Sequence, residues 1–337
     1  MDGGLRVPKP YLYVELNNKD VSVYITPYLI SFTYIDNDGL EKNESDDVQI
    51  ELEDSQGYFR DNPPARGSSL KVRFGYEGNI RDGGVFFIDS YTYRSNRAGD
   101  TFMIKALAKD VKASYRTVKT TAFENTTLRQ VASEIAKRHG YGLDWAGEDV
   151  AFHRLTQQEK RDLEWLVGLC KQYGFICKVA NKKLIVRSID ERLGEKTIYV
   201  LTRKDILEFS FETSSLYEGG IDVIYFDAQK KETVEGKKKA DVKASGDTKK
   251  INVRVENQSQ AERISKAQKT LNELKEVKAR LTAVGIPQLY AGGNIEVQGF
   301  GTFDRVYYIS RAEHKLTRQG YTVELELMKN PQGGKKK

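Results

Sequence analysis

The chain has 337 residues, 39% of them hydrophobic and 30% charged, which suits two or three globular domains with real cores. No run of about 18 apolar residues occurs, so a membrane-spanning helix is excluded. The formal charge of +6 is concentrated in residues 229–250, with eight Lys against four acids, and in the tail Lys335-Lys336-Lys337; the near-neutral remainder argues against a nucleic-acid reader, which places its positive charge on a folded face.

The N-terminal Met1-Asp2-Gly3-Gly4-Leu5-Arg6 has no basic-then-apolar signal, so a cytoplasmic site of synthesis is expected. The strand pattern begins with residues 11–16 and 21–25, short alternating segments around the turn Asn17-Asn18-Lys19-Asp20. Ile30-Ser31-Phe32-Thr33-Tyr34 and Val48-Gln49-Ile50-Glu51-Leu52 alternate in the same way. Between and beside them, residues 36–54 hold nine acids against Lys42 alone, a strip expected to repel phosphates. Leu70-Lys71-Val72-Arg73-Phe74 follows the break Pro63-Pro64-Ala65-Arg66-Gly67, and a hairpin follows over 85–108. Short strands with turns every 8–12 residues predict a barrel or sandwich.

The pattern then turns helical. Thr126-Thr127-Leu128 opens a helix with Leu128, Val131, Ala132, Ile135 and Ala136 on one face, ended by Gly140. Thr156-Gln157-Gln158-Glu159 reads as a capping box for a second helix carrying Leu163, Leu166, Val167, Cys170 and Tyr173. Cys170 and Cys177 are too few for a disulfide framework and are expected as buried thiols. Residues 175–179 and 184–186 form a hairpin around Asn181-Lys182-Lys183. Strands return at 206–212 and 221–226, where Phe209-Ser210-Phe211 echoes Phe32-Thr33-Tyr34. The lysine-rich stretch 229–250 is expected as a mobile loop. One long helix is predicted over 258–284, with Ala261, Ile264, Ala267, Leu271, Leu274 and Val277 on its apolar stripe, and strands close the chain before a flexible tail at 331–337.

Two of these stretches repeat. Phe87-Ile88-Asp89-Ser90, eight variable residues and Gly99-Asp100-Thr101-Phe102-Met103-Ile104 match Tyr308-Ile309-Ser310-Arg311, eight residues and Gly320-Tyr321-Thr322-Val323-Glu324-Leu325, each pair 221 positions apart. Just upstream, Gly67-Ser68-Ser69-Leu70-Lys71-Val72 resembles Gly292-Gly293-Asn294-Ile295-Glu296-Val297. One small β module is therefore expected twice in the polypeptide. The repeat motivates Phe87, Asp89, Tyr91, Tyr308, Ser310 and Ala312 as candidate oligomer or partner contacts, within the hairpins 85–108 and 304–328.

Motifs for chemistry are weak by comparison. His139, His153 and His314 lie at no metal-binding spacing; His139 suits a helix end and His314, standing where the first repeat has Tyr93, suits packing. Asp36-Asn37-Asp38-Gly39 opens like a calcium loop without the later ligands. Gly299-Phe300-Gly301 lacks the third glycine of a dinucleotide site, and neither a Gly-x-Ser-x-Gly turn nor a Walker lysine loop occurs. No catalytic residue, metal site or cofactor is expected.

Three groups of residues carry a family resemblance: Leu155-Thr156-Gln157-Gln158-Glu159 through Asp162-Leu163-Glu164-Trp165-Leu166 to Tyr173-Gly174-Phe175; the helix at 260–282 followed by Gly292-Gly293-Asn294-Ile295-Glu296-Val297; and Gly299 to Asp304 with Tyr308, Ile309, His314 and Gly320 to Val323. The chain resembles the late control D family of baseplate hub proteins from contractile phage tails, which is similar to the myovirus hub and the N-terminal part of type VI spike proteins. The resemblance implies a mainly β, α+β fold. A first β-barrel domain would span 1–115, an α/β domain 116–199, and a second β-barrel domain 200–330, the last with the insert 229–250 and the helix 258–284. It further implies a homotrimer with a pseudo-sixfold ring of barrels, joining a hexameric tail tube to a trimeric central spike. The partners would be the spike, the tube or tube initiator and other baseplate proteins; the place would be the virion after assembly in the host cytoplasm. Some relatives carry a lysozyme or peptidoglycan-binding segment; this chain stops at Lys337 without one, so no lytic role is expected. Two other readings are a glycan- or peptidoglycan-binding tail module and a cell-wall hydrolase with an unrecognised site. The acidic strip 36–54 and the insert 229–250 could face each other across a subunit junction or meet a charged partner.

Overall fold

In the computed structural model of the protein, residues 9–40, 45–108, 117–214, 221–227, 232–238, 249–252 and 255–333 are described. The chain opens with β1 Pro10–Leu16, β2 Lys19–Asp20, the helical turn α1 Ser22–Ile25, β3 Leu29–Asn37, β4 Asp47–Glu53, α2 Tyr58–Asp61, β5 Ser69–Tyr76, β6 Asn79–Asn96 and β7 Gly99–Leu107. It continues through β8 Val118–Thr127, α3 Leu128–Arg138, β9 Gly142–Ala146, β10 Ala151–Arg161, α4 Asp162–Gln172, β11 Phe175–Ala180, β12 Lys183–Ser188 and α5 Ile189–Gly194. The last part holds β13 Thr197–Thr202, β14 Ile206–Thr213, β15 Ile221–Asp227, β16 Glu232–Lys238, β17 Lys249–Asn252, α6 Gln258–Lys275, β18 Val277–Val284, β19 Asn294–Gln298, β20 Arg305–Thr317 and β21 Gly320–Lys329.

The expected mainly β architecture is observed. Thirteen strands form one sheet, ordered β14-β18-β21-β20-β3-β4-β7-β6-β5-β1-β2, with β19 on β20 and β13 on β19. The sequence repeat is a structural repeat within it. In the first hairpin Phe87 pairs with Leu107 and Ile88 with Ala106, Asp89 bulges, and pairing resumes at Ser90 with Lys105. In the second, Tyr308 pairs with Met328 and Ile309 with Leu327, Ser310 bulges, and pairing resumes at Arg311 with Glu326. A bulge adds one residue to one strand and bends it, so both copies bend at the same place. The upstream strands agree too: Ser69 sits opposite Phe87 as Asn294 sits opposite Tyr308. The Gly67 amide donates to Ile88 O and the Gly292 amide to Ile309 O, each at 2.8 Å.

Beyond the legible repeat, the register carries it further. Phe32 pairs with Ile50 and Tyr34 with Val48, as Phe209 pairs with Leu281 and Phe211 with Ala279. Both pairs are irregular one step earlier, between Leu29 and Ser31 and between Ile206 and Glu208. The outer strand is where the halves differ, β1 running antiparallel to β5 and β13 parallel to β19.

Hydrophobic alternation explains the cores. Phe32, Val48, Ile50, Leu52, Val72, Phe74, Ile88 and Phe102 form one, and Leu281, Leu289, Ile295, Val297, Ile309, Val323 and Leu325 another. A third gathers α3, α4 and the β11–β12 hairpin, with Ala261 and Ile264 of α6 packed into it. The faces predicted for α3 and α6 are the buried ones, and Asn181 and Lys182 turn the β11–β12 hairpin with positive φ.

Four expectations are corrected. Residues 22–25 form α1 rather than a strand: Asp20 Oδ1 accepts the Ser22 amide at 2.8 Å and turns the chain. Thr156 and Glu159 do not cap a helix; they lie in β10, where Glu159 takes φ 45°, and α4 begins at Asp162. The buried Asp162 places its negative charge in the first turn, favourable for the helix dipole. The long helix stops at Lys275, because Val277, Ala279, Leu281 and Ala283 are buried alternately, the period of a strand. Residues 229–250 contain β16, paired with β15, and the start of β17; the rest of that stretch lies outside the described residues, as do 334–337 of the tail.

Candidate assembly interface

The six contact candidates occupy equivalent places on β6 and β20 but have different surroundings. Tyr308 and Ala312 have no exposed surface, and Ser310 is buried with its Oγ donating to Glu326 O at 3.0 Å. These three pack inside their own chain, which corrects the expectation that they meet a partner. Tyr308 packs in a core cluster with Leu40, Leu193, Leu271 and Leu274, and Ala312 lies where the second part of β20 pairs antiparallel with β3, Arg311 with Asn37 through Thr317 with Ser31. Phe87 and Asp89 are half-buried, and Tyr91 is 37% exposed, stacked on Phe102 at 5.5 Å with the Arg66 guanidinium 5.7 Å from its ring centroid.

That β20–β3 seam joins the two halves and carries a buried charge network. Asp36, on β3, accepts from Lys178 Nζ at 2.7 Å and Arg81 Nη2 at 2.8 Å. Lys178, on β11, reaches Asp46 at 3.2 Å and Asn37 O at 2.8 Å, so it ties the middle unit to the sheet. Arg81 also donates to Leu289 O and lies over the Tyr34 ring at 5.0 Å. Burial opposes every charge here, but for Lys178 the two carboxylates outweigh it and hold the ammonium charged. Burial likewise pushes the Asp36 carboxyl up, and Lys178 with Arg81 bring it below its usual range. For Asp46 burial comes first and the Asp36 charge adds to it; Lys178 and the Asn37 amide, which donates to Asp46 Oδ1 at 2.9 Å, oppose them without cancelling them, and the carboxyl is pushed up to about 6.

His314 sits in the same seam. Burial, then the Arg81 charge, push it down to about 3, so the ring is neutral. Its Nε2, 2.9 Å from Leu289 O, must donate, which leaves Nδ1 to accept from Tyr321 Oη at 2.6 Å. This is the packing role read from the sequence, with a satisfied hydrogen-bond pair added. The acidic strip is also corrected: Asp36, Asp38, Asp46, Asp47 and Asp54 are buried. Asp54 accepts the amides of Phe59 and Arg60 and Asp38 that of Leu40, so these carboxylates organise the chain's own loops and do not form a repelling face. Asp36 could have been found by parity, since it continues the inward row Phe32, Tyr34. Lys178 and Arg81, from distant segments, carry no such signal.

Among the open strand flanks of the described residues, two stand at places equivalent, in the repeated halves, to the strands of the β20–β3 seam. Ser90–Asn96 of β6 pairs with β7 on one side, while β5 has ended at Ser69 opposite Phe87. β14 pairs with β18 alone. Both flanks expose large apolar side chains: Tyr91 and Tyr93 at 37%, Leu207 at 55% and Phe209 at 46%. Unpaired edges of this kind are templates for another strand.

The fold is that of a phage tail protein. A tail protein from Neisseria meningitidis MC58 superposes with a TM-score of 0.71 over 95% of this chain and 96% of its own, at 13% identity. The chain belongs to the family described as Alg8 N-terminal domain, which matches residues 65–318. It is 27% identical over 179 residues to the probable baseplate hub protein of Escherichia phage 186, covering 52% of this chain and 44% of that one. The probable baseplate hub protein of Escherichia phage P2 matches at 27% over 187 residues, 55% of this chain and 46% of that one. The matches therefore span about half the length of these curated relatives. The resemblance to phage baseplate hub proteins is borne out.

Proposed function

We propose that this protein is a structural hub of a contractile tail or tail-like injection particle, a homotrimer that adapts a hexameric tube to a trimeric spike. The carrying observation is the duplicated half. Strand register, bulge positions and turn hydrogen bonds recur between residues 29–107 and 206–329. Three copies of a doubled module display six similar surfaces on one face and three distinct ones on the other, which is the requirement for joining sixfold to threefold partners. The relatives' names support the baseplate setting. In this reading the chemistry is structural: the buried carboxylates are consumed by Lys178, Arg81 and loop amides, and the spike, tube and neighbouring baseplate proteins are the partners.

The test is the solution mass of the purified chain by light scattering. A species of three times 38.3 kDa is expected; a stable monomer at micromolar concentration would overturn the reading. A trimer that fails to retain a spike protein from the same particle would remove the adaptor role.

A further inference from the structure

We propose that the open flank of β6, Ser90–Asn96, pairs antiparallel with β14 of a second copy of this chain, in the register that β20 and β3 use within it. The inference rests on the hub reading and specifies its subunit junction. Inside the chain, the second-half hairpin strand β20 passes its bulge at Ser310 and then lies against β3, the first strand of the other half. By the registers above, Ser90–Asn96 is the counterpart of Arg311–Thr317, and Glu208–Ser214 is the counterpart of Ser31–Asn37. Each counterpart is open on the side where its equivalent is paired. An interface that joins the head of one half to the tail of the next closes naturally into a ring.

The template fixes every opposition. Tyr93 would face Phe211 of the second copy where His314 faces Tyr34, whose rings are 5.9 Å apart. Tyr91 would face the second copy's Thr213, and Ser95 its Phe209, covering two of the exposed aromatic rings on these edges. On the other face Arg94 takes the place of Lys315 and would stand opposite Ser210 of the second copy. Glu208 and Glu212 of that copy flank Ser210 on the same face, and both are exposed, so one cation meets two anions along the diagonals. The side-chain chemistry is thus compatible with the register of the backbone template.

The double variant Arg94→Cys/Ser210→Cys tests the pairing directly. Facing residues of an antiparallel pair have Cα atoms about 4.5–5.5 Å apart, within disulfide reach. Mild oxidation of the full chain should give species of two and three chains on a non-reducing gel. Each single variant should give none, since Cys170 and Cys177 are buried. Arg94→Cys/Leu207→Cys, displaced by three residues or about 10 Å, should also stay uncross-linked. Separately, Arg94→Glu should raise the dissociation concentration of the assembly roughly tenfold, and adding Glu208→Arg with Glu212→Arg should restore it. If the wild type has the mass of three chains while the cysteine pair stays unlinked and Arg94→Glu assembles normally, the junction is wrong and the hub reading stands. If the wild type is a monomer and the pair stays unlinked, both fall.

Discussion

Lys178 answers two carboxylates from one ammonium, and the inequality between them has a pH signature. Asp46 has its folded pKa near 6, above the 3.8 of a free carboxyl. Between those values the folded protein holds a proton that the unfolded chain releases, so this group's contribution falls as pH rises from about 4 to 6 and stays reduced above. Asp36 works in the opposite direction, and its stabilisation is lost only as pH falls below the ordinary carboxylate range. Removing the Asp46 charge should therefore help more at pH 7.5 than at pH 4.5. In urea titrations the stability of Asp46→Asn relative to wild type should improve between those two pH values by on the order of 2 kcal/mol. A difference that does not move with pH would refute the assignment. At this scale the sequence was legible wherever parity speaks: Asp36 shares the inward row of Phe32 and Tyr34. Its partners were not, because Arg81 and Lys178 arrive from 45 and 142 positions away.

Among elements, the repeat could be read where spacing is preserved and not where loops differ. The two hairpins keep one offset because Gly99 and Gly320, with φ of 122° and 140°, turn both after strands of the same bulged length. Strands β3 and β4 repeat in β14 and β18, but β15 to β17 and α6 lie between the later pair, so no single offset reveals them. The junction of α6 and β18 was missed because Leu271, Leu274 and Val277 satisfy helical spacing while Val277, Ala279 and Leu281 satisfy strand spacing. Helix α3 is the opposite case, its start written plainly in its cap. Thr127 Oγ1 accepts the Gln130 amide at 3.2 Å and Gln130 Oε1 accepts the Thr127 amide at 2.9 Å. Thr127→Ala should cost about 1 kcal/mol, read as a lowered denaturation midpoint of the unit containing α3. An unchanged midpoint would show that packing of Leu128 and Val131 alone sets the helix start.

For the molecule as a whole, the seam inside the chain and the proposed seam between chains should be distinguishable by amide exchange. In the assembled protein, Ser90–Asn96 and Ile206–Thr213 should exchange at least about tenfold more slowly than in the Arg94→Glu protein diluted to monomer, because paired edge amides open only with their partner. The β20–β3 amides should exchange alike in both states. Equal exchange of the outer flanks in the two states would place the contact elsewhere.

The reversed direction of β13 relative to β1 has its own consequence. In the proposed trimer the six modules would carry two kinds of outer strand in alternation, one antiparallel and one parallel to its neighbour. A threefold partner of such an assembly would meet one kind of strand at every second module. In that reading the duplication would supply the likeness, and one inverted strand the keying against misindexed docking.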